Sequence, residues 1–237
     1  MRRLFIFAII AVTAVQMLAV RPAFAAEPVR QIGVHVQPYY EAARTPDGKP
    51  RVAVGQPYDG LLSSNTKEDI LAAKERIESD PRVVTPMTMM VLAIRLYDVG
   101  LRDDAVFWFY AAKSRYTTLE DVIDIRMSGL IAPGEAVKSF AVLAGPFING
   151  YAFCDRAKQH AANLKAIEWA EKHPYSVLFM SQLTGNERDR MAALKKSIVE
   201  QKAYAERERA RFDDPKFAAQ FAADRRRNGA DDKFCWK

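Results

Sequence analysis

The chain has 237 residues, with 35 lysines and arginines against 29 acids, a formal charge of +6. Residues 1–25 hold Arg2, Arg3 and Arg21 and no acid, so residues 26–237 carry only +3, too mild an excess to mark a nucleic-acid binder. Eleven glycines scattered singly leave no phosphate-cradling loop and no cofactor motif, and two cysteines allow a single pairing.

The N-terminus reads as a secretory signal: Arg2-Arg3, an apolar run from Leu4 to Val20, then Ala23-Phe24-Ala25, with cleavage expected after Ala25. The alternative is a retained anchor, although the run is a little shorter than the ~20 residues of a typical span. The expected location is therefore secreted or periplasmic, with no stable span after cleavage. About 210 residues remain, enough for one domain with a sizeable core.

Residues 26–64 read as an extended or β-hairpin arm. Gln31 to Val36 and Arg51 to Val54 alternate in period two around the turn Thr45-Pro46-Asp47-Gly48. Tyr39, Tyr40 and Tyr58 would anchor the arm by their ring faces, which makes Tyr39 and Tyr40 candidate partner-binding residues. From residue 65 to 237 the chain reads as a helical domain. Asn65 with Glu68, or Thr66 with Asp69, caps a helix carrying Ile70, Ala73 and Ile77 that ends before Pro81.

Two strongly apolar helices come next. Thr85-Pro86 opens the first, which runs to Gly100, and its Met87, Met90, Val91, Leu92, Ala93, Ile94 and Leu96 leave almost no polar face. Asp103 and Asp104 open the second, and Lys113 and Arg115 suit its negative end. Leu92, Ala93 and Leu96, the turn at Gly100, then Ala105, Phe109 and Ala112 resemble one tetratricopeptide-type hairpin across residues 87–117. Met89, Leu96 and Thr117 stand where that family favours Trp, Tyr and Pro. The resemblance implies partner binding on a concave helical surface. One such unit needs neighbours to bury its faces, so a compact, mainly all-α bundle is expected rather than a superhelix.

Further signals place a helix from Thr118 and another from Pro133 that breaks at Gly145-Pro146. A long helix over Phe147–Lys172 comes next, then a buried connector at Tyr175–Met180, a helix from Asn186 and a last one capped by Asp213-Asp214. Cys154 and Cys235 are expected to form a structural disulfide, their wide separation disfavouring a redox motif.

No catalytic residue, metal ligand set or cofactor is assigned. His35, His160 and His173 lack metal spacing, and no nucleophile elbow is present. Four aromatics in a row, Phe107 to Tyr110, must point around a whole helix; Tyr110 is expected to face outward, with Trp108 second. These features imply a protein-binding module with an unknown protein partner. A small envelope hydrolase near Tyr39, His35 or His160, and an envelope immunity or inhibitor protein, are the alternatives.

Overall fold

The computed structural model describes residues 27–33 and 54–236. The expected signal and residues 34–53, which hold most of the expected hairpin with Tyr39, Tyr40 and His35, lie outside the described residues. Those described are mostly helical: α1 Gln56–Leu62, α2 Lys67–Ser79, α3 Pro86–Asp98, α4 Arg102–Val122, α5 Ile131–Ala152, α6 Arg156–Lys172, α7 Arg190–Ala210, α8 Pro215–Arg227 and α9 Ala230–Phe234. Among them there is no named strand, and one isolated antiparallel bridge joins Ile123 to Gly185.

The organising element is α4, which packs against α3, α5, α6 and α7. Its N-terminal half shares a core with α3, where Met89 to Ile94 and Leu96 are fully buried and Leu92 lies against the same interior as Phe109. Its C-terminal half and the residue after it, from Tyr116 to Ile123, join a second cluster with Ile167, Leu178, Leu194 and Ile198. The α3–α4 turn is a Schellman motif: Gly100 N–H donates to Tyr97 O at 2.9 Å and Leu101 N–H to Leu96 O at 2.8 Å. Gly100 sits at φ +85°, where a β-carbon would be strained.

Several expected boundaries move. The segment 56–62, expected as part of an extended arm, is α1. Pro57 stands in its first turn, the Asp59 carboxylate accepts from the Val54 and Gly55 amides, and Tyr58 and Leu62 enter the core. Thr118 does not open a helix, because α4 runs unbroken to Val122 and the Thr118 hydroxyl donates back to Arg115 O. Asn186 does not start one either. Its side-chain amide donates to Glu120 O and Asp121 O, closing the end of α4, while Asp189 caps α7.

Pro146 does not break α5, which is continuous from Ile131 to Ala152. Pro146 and Val142, the residue whose carbonyl the missing N–H would have met, both lie on the exposed side, where water can take over that bond. The break comes instead at 153–155, where the Asp155 carboxylate accepts from Lys158 N–H and starts α6, so no single helix spans Phe147–Lys172. By length and a mean hydropathy of 1.2, α5 is long and apolar enough to cross a membrane. Here its Phe140, Ala144 and Ile148 are buried in the core that α3 and α4 form.

Two arginines tie the elements together. Arg115, almost fully buried, donates to the carbonyls of Pro81 at 2.5 Å, Val84 at 2.8 Å and His173 at 2.8 Å, with its guanidinium 4.7 Å from the Trp169 ring centroid. Arg95 donates to Asp98 at 2.7 Å and to Ser64 O and Asn65, while Asp98 accepts the amides of Ile32 and Gly33. The cap of α2 is accordingly Thr66, whose hydroxyl accepts from Asp69 N–H, and Asn65 holds Arg95 instead.

Candidate functional site

One face of α4 stays uncovered between α5 and α7. Tyr110, Lys113, Ser114, Thr117 and Asp121 recur at helical spacing and form the floor of a groove of about 480 Å³. Asn149 and Phe153 wall it on the α5 side, and Glu200, Tyr204 and Arg207 recur along α7 opposite. Phe153 also meets Phe212, in the turn before α8, and Phe221, in the middle of α8, at centroid distances of 6.1 and 5.3 Å.

The aromatic run resolves differently from the sequence expectation. Trp108 is fully buried and cannot reach a partner, and its indole N–H has no acceptor among the described residues. Tyr110 is only 6% exposed. Its hydroxyl donates to Asn149 Oδ1 at 3.0 Å and accepts from Gln159 Nε2 at 2.9 Å, so it is a groove floor rather than an outward anchor. Phe107 is the half-exposed member, because α3, α5, α6 and α7 together surround the other three directions of the helix. The large exposed aromatic on the groove is Tyr204 of α7, 62% exposed. Its position in a charged stretch gives no hydrophobic-stripe signal.

The groove's electrostatics are mixed. Lys113 lies 5.7 Å from the centroids of both Phe109 and Tyr110, and crowding by the groove walls draws its pKa below the ordinary lysine value against the pull of Glu208. Burial pushes Tyr110 up to about 12; Gln159 opposes this and Glu208 adds to it. The Ser114 hydroxyl is buried with no partner among the described residues. At the end of the floor Asp121 accepts from Ser197 of α7 at 2.6 Å, and Gln201 donates to the same serine hydroxyl. Lys113, Glu200, Arg207 and Glu208 thus bring both signs of charge to one concavity without an ion pair to any described residue.

The histidines do not gather. His160 meets Glu206 at 3.1 Å on the seam between α6 and α7, outside the groove, and His173 packs on the Trp169 ring. Among the described residues no group of three or more His, Cys, Asp or Glu side chains could hold a metal ion. Cys154 and Cys235 are joined in a disulfide, with Cα atoms 5.5 Å apart, that ties the end of α5 to the residue after α9.

Together these features define a helical, disulfide-closed protein with an open amphipathic groove on α4. The chain is 36% identical over 215 residues to an uncharacterized protein of Haemophilus influenzae, an alignment covering 89% of this chain and 81% of that protein, and it belongs to that protein's family. No protein-family model matches the sequence, and no solved structure matches it.

Proposed function

We propose that the chain is a cell-envelope protein-binding module, exported by its N-terminal signal, that takes a short extended segment of a partner protein in the α4 groove. The observation that carries this reading is the groove itself, with an exposed aromatic, charges of both signs and amide side chains around one helix face. From Tyr110 to Asp121 that face runs roughly 16 Å, the length of about five extended residues. Asn149, Asn163 and Gln201 offer donors and acceptors to a peptide backbone, and Tyr204 and Phe153 offer apolar surface. The tetratricopeptide-like character of α3 and α4 supports the same reading.

Selection of displayed peptides against the full mature chain tests it. Peptides carrying both charge signs and an apolar residue are expected to enrich and to lose at least tenfold in affinity against Tyr204→Ala. Arg207→Ala, which removes an exposed cation from the α7 wall, is expected to weaken binding without lowering the melting temperature. Enrichment that ignores both substitutions, or no enrichment, overturns the groove as the binding site.

A further inference from the structure

The disulfide sits in an unusual setting for an inert staple. Cys154 is exposed and Cys235 half-buried. The sulfurs edge a hollow of about 540 Å³ that Val106, Tyr151, Lys158, Ala162 and Trp236 line, and a second hollow borders them beside Phe153 and Phe221. The Arg225 guanidinium donates to Cys235 Sγ at 3.2 Å and reaches Cys154 Sγ at 3.7 Å. It is held there by bonds to Gly150 O and by Asp231, whose carboxylate accepts at 2.8 and 3.0 Å and lies 3.5 Å from Cys235 Sγ.

A cation on one sulfur stabilises the thiolate that sulfur becomes, and a better-stabilised thiolate leaves faster. The two sulfurs are therefore unequal: Cys154 is the more accessible to attack, and Cys235, with the shorter contact to the guanidinium, is the better leaving group by a margin that the Asp231 carboxylate narrows.

We propose that Cys154–Cys235 is a site of thiol–disulfide exchange with a dithiol oxidoreductase, attacked at Cys154. A thiolate of the dithiol bonds to Cys154 Sγ, and the Cys154–Cys235 bond breaks with its electron pair going to Cys235, which departs as a thiolate beside Arg225. The second thiol of the reductant then attacks its own sulfur in the mixed disulfide, expelling Cys154 as a thiolate. Two electrons and two protons pass to this chain, and the dithiol becomes a disulfide. The hollow beside the bridge is the seat for the partner's reacting segment.

Reduction releases the covalent hold on the C-terminal clasp. There Arg102 donates to Trp236 O at 2.8 Å and stacks 3.8 Å from its ring, Arg30 lies 4.5 Å from the same ring, and Val29 N–H donates to Lys233 O. The reverse exchange, with an oxidised partner, reseals it.

The test uses the full mature, oxidised chain. It is exposed to reduced glutathione, quenched with N-ethylmaleimide and mapped by peptide mass spectrometry, and its reduction by dithiothreitol is timed separately. The glutathione adduct is expected on Cys154 in at least tenfold excess over Cys235. Arg225→Gln is expected to slow reduction by roughly three- to tenfold, and Asp231→Asn, which frees the guanidinium from its competing carboxylate, to speed it. An adduct on Cys235 or spread equally overturns the proposal, as does a rate that Arg225→Gln leaves unchanged or raises. If Arg225→Gln fails to fold, the adduct position and the Asp231→Asn rate decide.

Discussion

Arg115 donates to the carbonyl of His173 at 2.8 Å, fifty-eight positions further along, and so joins the middle of α4 to the end of α6. The same guanidinium holds Pro81 and Val84. Three carbonyls from two separate turns thus share one buried cation that has no carboxylate partner among the described residues, and burial draws its pKa down to about 10, still charged at neutral pH. Arg115→Met should leave those carbonyls unpaired in the interior and lower stability by about 3 kcal/mol or more, read as a shift in urea midpoint. Arg115→Lys keeps a charge but loses the fork, and should recover only part of that loss.

Tyr110 provides a pH signature. Its folded pKa is raised to about 12 from 10.0, so between those values the folded chain keeps a proton that the unfolded chain has lost. Stability from this group is intact below pH 10 and falls as pH rises toward 12, by on the order of 2–3 kcal/mol. Tyr110→Phe should flatten that part of the alkaline unfolding curve. Tyrosinate absorbance should show one fewer late-titrating tyrosine in the variant.

Gly150 is where α9 meets α5. A β-carbon there would lie 2.6 to 2.8 Å from the Phe234 ring, and the glycine carbonyl also receives Arg225. Gly150→Ala should displace Phe234 and cost about 1–3 kcal/mol. Trypsin should then cleave after Lys233 faster than in the parent chain.

Removing the bridge with Cys154→Ser and Cys235→Ser frees a closure across 81 positions. Chain entropy sets an upper figure of about 4 kcal/mol, and a loss of about 2–4 kcal/mol is expected in chemical unfolding. The double variant should retain its helical circular dichroism, because the α3–α4 core is held by its own buried apolar side chains.

At the turn between those two helices, Gly100→Ala places a β-carbon at φ +85° in open space, so strain without collision is the whole effect. A loss of about 1 kcal/mol in thermal unfolding is expected.

Much of this architecture is legible in the residues. Thr85-Pro86, Thr66 with Asp69 and Asp214-Pro215 are local caps, and each acts within one turn of the chain, so its meaning survives whatever packs nearby. The unbroken apolar surface of Met89 to Leu96 likewise demands a buried helix wherever it falls, and the cysteine pair admits one connectivity. The expectation of mostly helical structure rests on such signals. Pro146 as a breaker, and Asn186 and Thr118 as helix starts, are readings of residue type alone. Residue type does not say which side of a helix faces solvent, or which helix end lies within reach of a side chain.

The groove belongs to that second kind. Tyr204, Arg207 and Glu208 carry no site signal in the sequence, and Tyr110 reads as an outward ring. Only the approach of α7 to α4 makes a concavity of them, with Tyr110 at the floor and Tyr204 at the rim. Short-range chemistry determined the helices, their caps and the apolar hairpin, since hydrogen bonds and dipoles at helix ends depend on neighbours a few positions away. Tertiary packing decided which aromatics were covered, what Arg115 and Asp98 bound, and which charges came to face one groove, because those outcomes depend on segments that meet only after the chain has closed on itself.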